Sequence, residues 1–388
     1  MRILFVHNRY QQYGGEDAVF DAEIALLRLK GHQVEALIFE NKKIKTFKER
    51  LKVAFTSIYN FRSARTLSQK IKIFQPDIIH VHNFWKEASP AVFWVAKQYN
   101  IPVVFTLHNY RLICANALLM RENQICELCI SKKIPFSALR YACFDNRLLS
   151  FQTILMTGLH KIIGTWRKKV AHYIALTDFA KEKFLTSSLQ ISENQISVKS
   201  NFVKDAGFSP ANQRENYYLF VGRLSEEKGI KHILQLATHT SISIEIIGKG
   251  DYEESIQKLS DTQNNVKFWG FKDKKFILEK MKSAKALIVP SIWYEGLPTT
   301  ILEAFSTGTP VIVSDIGNLN EIITHQYNGW HFSVNEIDSL VKQISCFENY
   351  GEKEKIYENA YQTFKERYSS ENVYQKLIDI YTKLITKS

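Results

Sequence analysis

The chain has 388 residues, with 51 Lys and Arg against 39 Asp and Glu, a formal net charge of +12. Hydrophobic content of 45% and aromatic content of 13% exclude a disordered or low-complexity chain, and the length calls for two cores rather than one. No run approaches the apolar length of a membrane span and no leader pattern opens the chain, so a cytoplasmic location is expected.

Met1 to Asn8 reads as a buried strand, followed by Tyr13, Gly14, Gly15, Glu16 and a helical pattern through Leu29. A glycine pair after a first strand lets backbone approach a ligand. It is not the Gly-x-Gly-x-x-Gly fingerprint, which argues against a nicotinamide dinucleotide. From Asn41 to Gln75, ten Lys and Arg, from Lys42 to Lys72, face Glu49 as the one acid. Phe47, Leu51, Phe55, Ile58, Tyr59 and Phe61 interleave with them. This segment reads either as a basic amphipathic surface for an anionic membrane or as a solvated helix face. Residues 1–200 carry 29 basic and 15 acidic side chains, a charge of +14, and the remainder carries 22 and 24, a charge of −2. The asymmetry favours an anionic partner for the first half, with Lys161, Arg167, Lys168 and Lys169 beside Trp166 adding to it. No nucleic-acid motif accompanies the charge, so no nucleic-acid partner is expected.

Strand-like segments continue at Gln33–Phe39, Asp77–Val81 and Pro102–Leu107. His80 and His82 read as structural. His108, at a strand's carboxyl end, is a candidate site residue. Cys114, Cys126, Cys129 and Cys143 fall within thirty residues, and Cys126-Glu-Leu-Cys129 has metal-knuckle spacing. They are expected either to hold a structural zinc or to remain four reduced thiols.

A polar, Pro-containing stretch from Asp205 to Asn216 marks a boundary between domains at 1–205 and 206–370, and a last helix near 371–388 is expected to cross back to the first. Beyond it, Tyr217–Val221 is a strand that runs into Gly222, Arg223, Lys228 and Gly229. Two cations at a strand's carboxyl end are placed to neutralise a diphosphate. Further strands alternate with helices through Pro310–Ser314, which implies α/β architecture with parallel sheets. The segment Glu295-Gly-Leu-Pro-Thr-Thr-Ile-Leu-Glu303 follows a strand. Pro298 suits the first turn of a helix, and Thr299 and Thr300 then offer free N–H groups at its positive end. Glu295 and Glu303 flank this anion seat as acceptors for hydroxyls, the layout of a sugar nucleotide.

Both segments of the second half, Tyr217 to Ile230 and Val289 to Glu303, resemble the signatures of retaining glycosyltransferases of family 4. The resemblance implies the GT-B architecture, two Rossmann-like domains facing across a cleft, the first for acceptor and the second for nucleotide sugar. It implies Glu295 and His108 as catalytic residues contacting the sugar, Glu303 on the ribose, and Arg223 and Lys228 on the phosphates. Gly15, Gly222, Gly296, Leu297, Pro298, Thr299 and Thr300 complete the expected donor site. The implied activity is transfer of a sugar from a nucleotide-diphosphate sugar to a saccharide or lipid-linked acceptor hydroxyl, with retention, in surface polysaccharide or glycolipid assembly. No Asp-x-Asp motif is present, so no catalytic metal is expected. A sugar-nucleotide epimerase of the same shape is the alternative, and a binding protein with a decayed site the third reading.

Overall fold

The computed structural model describes residues 1–10, 13–41, 55–144 and 146–386. Two compact units result. Met1–Leu119, Cys126–Ser200 and Val373–Ser388 form the first, and Met120–Ile125 with Asn201–Asn372 forms the second.

The first unit is built on six parallel strands: β1 (Arg2–Arg9), β2 (Gln33–Glu40), β3 (Ile78–Val81), β4 (Val103–Leu107), β5 (His172–Ala175) and β6 (Ile196–Val198). Their order is β2-β1-β3-β4-β5-β6. Ile3, Leu4, Phe5 and Val6 are all fully buried. That continuous apolar run, without alternation, is what a strand covered on both faces requires. Register places Ile3 opposite Val34 on one side and Ile78 on the other. Phe20, Ile24 and Leu27 of α1 (Gly15–Leu29) seal one face together with Leu377 and Tyr381. The last two belong to the chain's final helix, which therefore completes the first unit's core. Four more helices of this unit bear on function: α2 (Phe61–Phe74), α3 (Ala91–Gln98), α4 (Phe136–Arg140) and α5 (Arg147–Ile162).

The second unit repeats the plan with β7 (Tyr218–Val221), β8 (Ile244–Ile247), β9 (Val266–Phe268), β10 (Ala286–Val289), β11 (Val311–Ser314) and β12 (Gly329–Phe332). The order is β9-β8-β7-β10-β11-β12, all parallel. Its core joins Phe220, Ile246, Ile288 and Ile312 to Trp330. The helices that matter here are α6 (Ile230–His239), α7 (Lys274–Ser283) and α8 (Thr299–Ser306); α9 (Ser370–Ile385) is the final helix already met in the first core.

In each sheet the chain leaves the first strand to one side and later returns to its other side. The reversal lies between β7 and β10 in the second unit, and ligands of open α/β sheets bind at the carboxyl ends flanking such a point. The loops that begin at Gly222 and Pro290 are those ends, and they carry the motifs singled out from sequence.

Candidate active site

Gly229 is the hinge of the second unit's site. Its φ of +72° is left-handed, and a Cβ there would lie 1.7 Å from the Pro290 carbonyl oxygen. Only glycine allows that approach. It presses the loop after β7 onto the loop after β10, where the Ile292 N–H donates to the Glu227 carbonyl at 3.0 Å.

The approach brings Lys228 to Glu295. Lys228 Nζ donates to both carboxylate oxygens, at 2.7 and 2.8 Å. Ser291 Oγ donates to Oε1 at 2.5 Å. Glu295 is buried and the Lys228 side chain is 22% exposed, so the cation sits at the surface of a closed carboxylate site. Trp293 lies under the ammonium at 5.2 Å. Arg223 is 66% exposed and reaches Glu227 at 3.4 Å, a weak tether that leaves the guanidinium accessible.

Pro298 is the N-cap of α8 and not its first turn, so Thr299 and Thr300 are the first two helical residues. No side chain caps this helix end. The Ile301 N–H turns back to the Pro298 carbonyl at 3.1 Å, and the Thr299 and Thr300 N–H groups are left for an outside acceptor. The Thr299 hydroxyl instead serves Glu303, which also pairs with Lys274 at the start of α7. Burial pushes the Glu303 carboxyl up, and Lys274 and Thr299 oppose the shift. Lys274 was not singled out from sequence, and Asn318 lies in the segment Ser314 to Ile323, which resembles the family's loops near the sugar without marking this residue. Asn318 is fully buried and its amide donates to the Gly296 carbonyl, which fixes the strand-to-helix loop through Gly296 and Leu297. Both partners come from other elements, so local pattern carries no signal of them.

His108 and Gly15 belong to the first unit. Gly15 opens α1, where the Gly14 N–H donates to Asp17 Oδ2 and Asp17 Oδ1 accepts from His7 Nε2 at 2.8 Å. His108 follows β4, and its Nε2 lies 2.9 Å from His82 Nδ1. His82 Nε2 faces Glu23 Oε2 at 3.3 Å. Across that 2.9 Å contact one ring donates and the other accepts, which fixes the two rings against each other. His82 thereby orients the candidate residue. His80 is held by Tyr381 and Thr106, at 2.6 and 2.7 Å.

Glu23 also takes an ion pair from Lys199, both fully buried. Burial alone would raise Glu23, but Lys199, with His82, holds it well below the carboxylate range. Burial, then the neighbouring rings, keeps His80 well below the usual histidine range, and burial lowers His82 too. Folded histidines that resist protonation give stability that is complete above the unfolded pKa of about 6.5 and is lost as pH falls through it. We expect the first unit to lose up to about 1.4 kcal/mol per pH unit for each of these two rings below pH ~6.5. Thermal melts between pH 7.5 and 5 check this; flat melting temperatures would contradict the neutral assignment.

A pocket in the first unit is lined by Glu16, Asn83, Trp85, His108, Asn109 and Arg111, among others. Arg111 stacks on Trp85 at 4.4 Å and Phe144 at 5.4 Å. Its Nε and Nη1 are buried without a hydrogen-bond partner. Burial, then the Asp17 charge, pushes Glu16 up to about 8 against the pull of Arg111. The pocket therefore sets the Arg111 guanidinium beside a carboxyl that burial makes a weaker acid. Arg111 stands three residues beyond His108 and was not singled out from the sequence.

The cysteines do not assemble as a tetrathiolate would require. Sulfurs around zinc lie ~3.8 Å apart. Among the described residues, the group of three metal-type side chains whose donor atoms fall within 4.8 Å is Glu23, His80 and His82, not a cysteine set. Lys199 already supplies the cation there. None of the four cysteines is in a disulfide; Cys114 Sγ donates to Asn116 Oδ1 at 2.9 Å, and Cys129 Sγ lies 3.3 Å from Ser137 Oγ. Burial pushes the Cys114 thiol up to about 11 and raises Cys129. Lys161 is likewise corrected. It is buried and donates to the Lys132 carbonyl at 3.2 Å, so it adds nothing to a surface charge patch. The basic residues from Lys42 to Lys52 lie outside the described residues.

Comparison with known proteins bears on the chain's class. Residues 14–206 match the Glycosyltransferase Family 4 domain, and residues 203–363 match Glycosyl transferases group 1. Both halves of the chain thus match glycosyltransferase domains. An uncharacterised glycosyltransferase of Methanocaldococcus jannaschii is 33% identical over 193 residues, covering 47% of this chain and 48% of that protein. A UDP-Gal:alpha-D-GlcNAc-diphosphoundecaprenol alpha-1,3-galactosyltransferase of Escherichia coli is 28% identical over 180 residues, 40% of this chain and 46% of that one. The alignments thus span about half the length of these relatives. Among solved structures, Anabaena HepE in complex with UDP superposes with a TM-score of 0.70 at 16% identity, covering 99% of this chain and 100% of that one. The fold is the GT-B fold of such enzymes.

Proposed function

We propose that the protein transfers a sugar from a nucleoside-diphosphate sugar to an acceptor hydroxyl, with retention of configuration, in the assembly of a surface polysaccharide or glycolipid. The observation that carries this reading is Lys228 gripping buried Glu295 at the sheet's switch point, beside an uncapped helix start. As the glycosidic bond breaks, charge develops on the diphosphate. Lys228, exposed Arg223 and the Thr299 and Thr300 amides are the groups placed to stabilise it. Because Lys228 already has a carboxylate partner, it serves phosphate and Glu295 together, and binding a diphosphate tightens rather than creates the charge pattern. Glu295 orients the sugar, Glu303 takes the ribose hydroxyls, and His108 offers Nδ1 to a sugar hydroxyl. The first unit receives the acceptor. A diphosphate-linked lipid acceptor, of the kind named for the Escherichia coli relative, fits its excess positive charge and a peripheral place on an anionic membrane. Both matched domains are transferase domains, which favours transfer over epimerisation.

A thermal-shift panel of UDP, GDP, ADP and their sugars tests the donor half. One diphosphate is expected to stabilise the protein by about 2.7 kcal/mol at a hundredfold excess over its Kd. The shift should vanish in Lys228→Ala. Absence of a shift with every nucleotide would sink the reading.

A further inference from the structure

Helix α5 presents an unusual outer surface. Residues 148, 151, 155, 159 and 162 fall within an arc of about 80° at 100° per residue. They are Leu148, Phe151, Leu155, Leu159 and Ile162. Most of the remaining circumference is sunk into the first unit, including Ile154, Met156, Thr157 and His160. The outward arc is exposed nonetheless: Leu148 at 53%, Phe151 at 49%, Leu155 at 40% and Ile162 at 57%. An ordinary surface helix turns its polar side outward, and this one turns leucines and a phenylalanine.

The neighbours extend the surface. Ser57 and Ile58 are tied to α5 by Gln152 and His160, which sets exposed Phe55 along one flank. Lys133 and Ile134 pack against Gly158, where a Cβ would lie 3.2 Å from the Lys133 carbonyl oxygen. On that flank α4 docks through Ala138 on Ile154 and leaves Phe136 68% exposed. Lys132, Lys133, Arg140 and Arg147 are exposed around this apolar area. From Leu128 to Thr177 the sequence holds eight Lys and Arg, of which Lys161 is buried, and one acid, Asp145.

We propose that the outward face of α5, with Phe55 and Phe136 beside it, docks the protein on an anionic lipid surface. Large contiguous apolar patches on soluble domains mark places that another phase or molecule covers. Apolar side chains bordered by Lys132, Lys133, Arg140 and Arg147 match the boundary between acyl chains and anionic headgroups. A protein partner of ordinary composition would meet the same rim with less charge complementarity. No helix among the described residues is long and apolar enough to span a membrane, so attachment here is interfacial. The inference rests on the membrane reading of the proposed function and gives it a defined face.

The test uses the full chain and vesicles of phosphatidylcholine alone or with 30% phosphatidylglycerol, without donor or acceptor. Wild-type protein is expected to cosediment with the anionic vesicles and far less with the neutral ones. The F151E/L155E pair should lower the partition coefficient by at least ~10-fold with an unchanged melting temperature. Should that pair fail to fold, Phe151→Trp in the otherwise native chain reports the same face. Its fluorescence should shift to the blue on adding anionic vesicles. No wild-type binding, equal binding by the pair, or no spectral shift overturns the proposal. So does a wild-type dimer that the pair converts to monomer in sedimentation velocity, which would make the face a contact between copies. Because no transfer is measured, loss of glycosyl transfer and loss of docking are read separately.

Discussion

Replacing Glu295 by alanine is expected to lower kcat for sugar transfer by about 10²–10³-fold, the loss seen when one preorganised polar group is taken from a transition-state site. The carboxylate does two things that nothing else nearby repeats. It accepts both Lys228 bonds and the Ser291 hydroxyl, so it fixes where the ammonium stands. It is also buried, so its charge acts with little water to screen it. Without it, Lys228 is free to follow solvent, and the diphosphate meets a cation in the wrong place. The fold should survive, at a cost of about 1–3 kcal/mol for the unpaired donors. Glu295→Gln keeps an acceptor for Lys228 and loses the charge, and should fall between the two. Transfer by the alanine variant within about threefold of wild type would remove Glu295 from the site.

The largest effect on stability is expected from Lys199→Met. Lys199 and Glu23 are both fully buried, and removing the lysine leaves a carboxylate without its cation. Breaking a buried pair this way costs about 3–5 kcal/mol. For a unit of this size that lowers the melting temperature by about 6–20 °C. Adding Glu23→Gln removes the stranded charge and should restore more than half of the loss. Lys199→Met alone shifting the melt by less than ~2 °C would show that water reaches the pair. Because Glu23 also faces His82, which in turn is bonded to His108, the single variant should reduce transfer more than its melting curve alone accounts for.

Much of the architecture was legible because its causes are local. The strand read at Tyr217–Val221 is observed at Tyr218–Val221, and that at Ala286–Val289 is found with the same limits. Continuous apolar runs of this length end at glycine or proline, which stops a buried strand wherever the rest of the chain goes. The candidate donor residues were legible for the same reason. A cation after a strand's end, and a Pro-Thr-Thr helix start, are features of a few consecutive residues.

The partners of those residues were not. Lys274 reaches Glu303 from another helix, and Asn318 reaches Gly296 from the loop after β11. Glu23 and Lys199 lie 176 residues apart, and neither position is marked as buried by its neighbours in sequence. His82 looked structural, and only its hydrogen bond to His108 makes it the support of a candidate site residue. Spacing alone suggested a metal knuckle at Cys126 and Cys129, yet each thiol's surroundings are set by how the loop folds, and the sulfurs stay apart.

Residue order alone determined that this chain forms two parallel α/β units, and it marked the strand ends that carry charge and the free helix start. Tertiary structure alone decided which distant side chains neutralise those charges, and which apolar helix face would be left in contact with solvent. Helix α5 shows why. Periodicity reports an apolar arc through Phe151, Leu155 and Leu159 opposite a polar one through Ser150, Thr153, Thr157 and His160, but which arc is buried depends on what the rest of the chain brings against it.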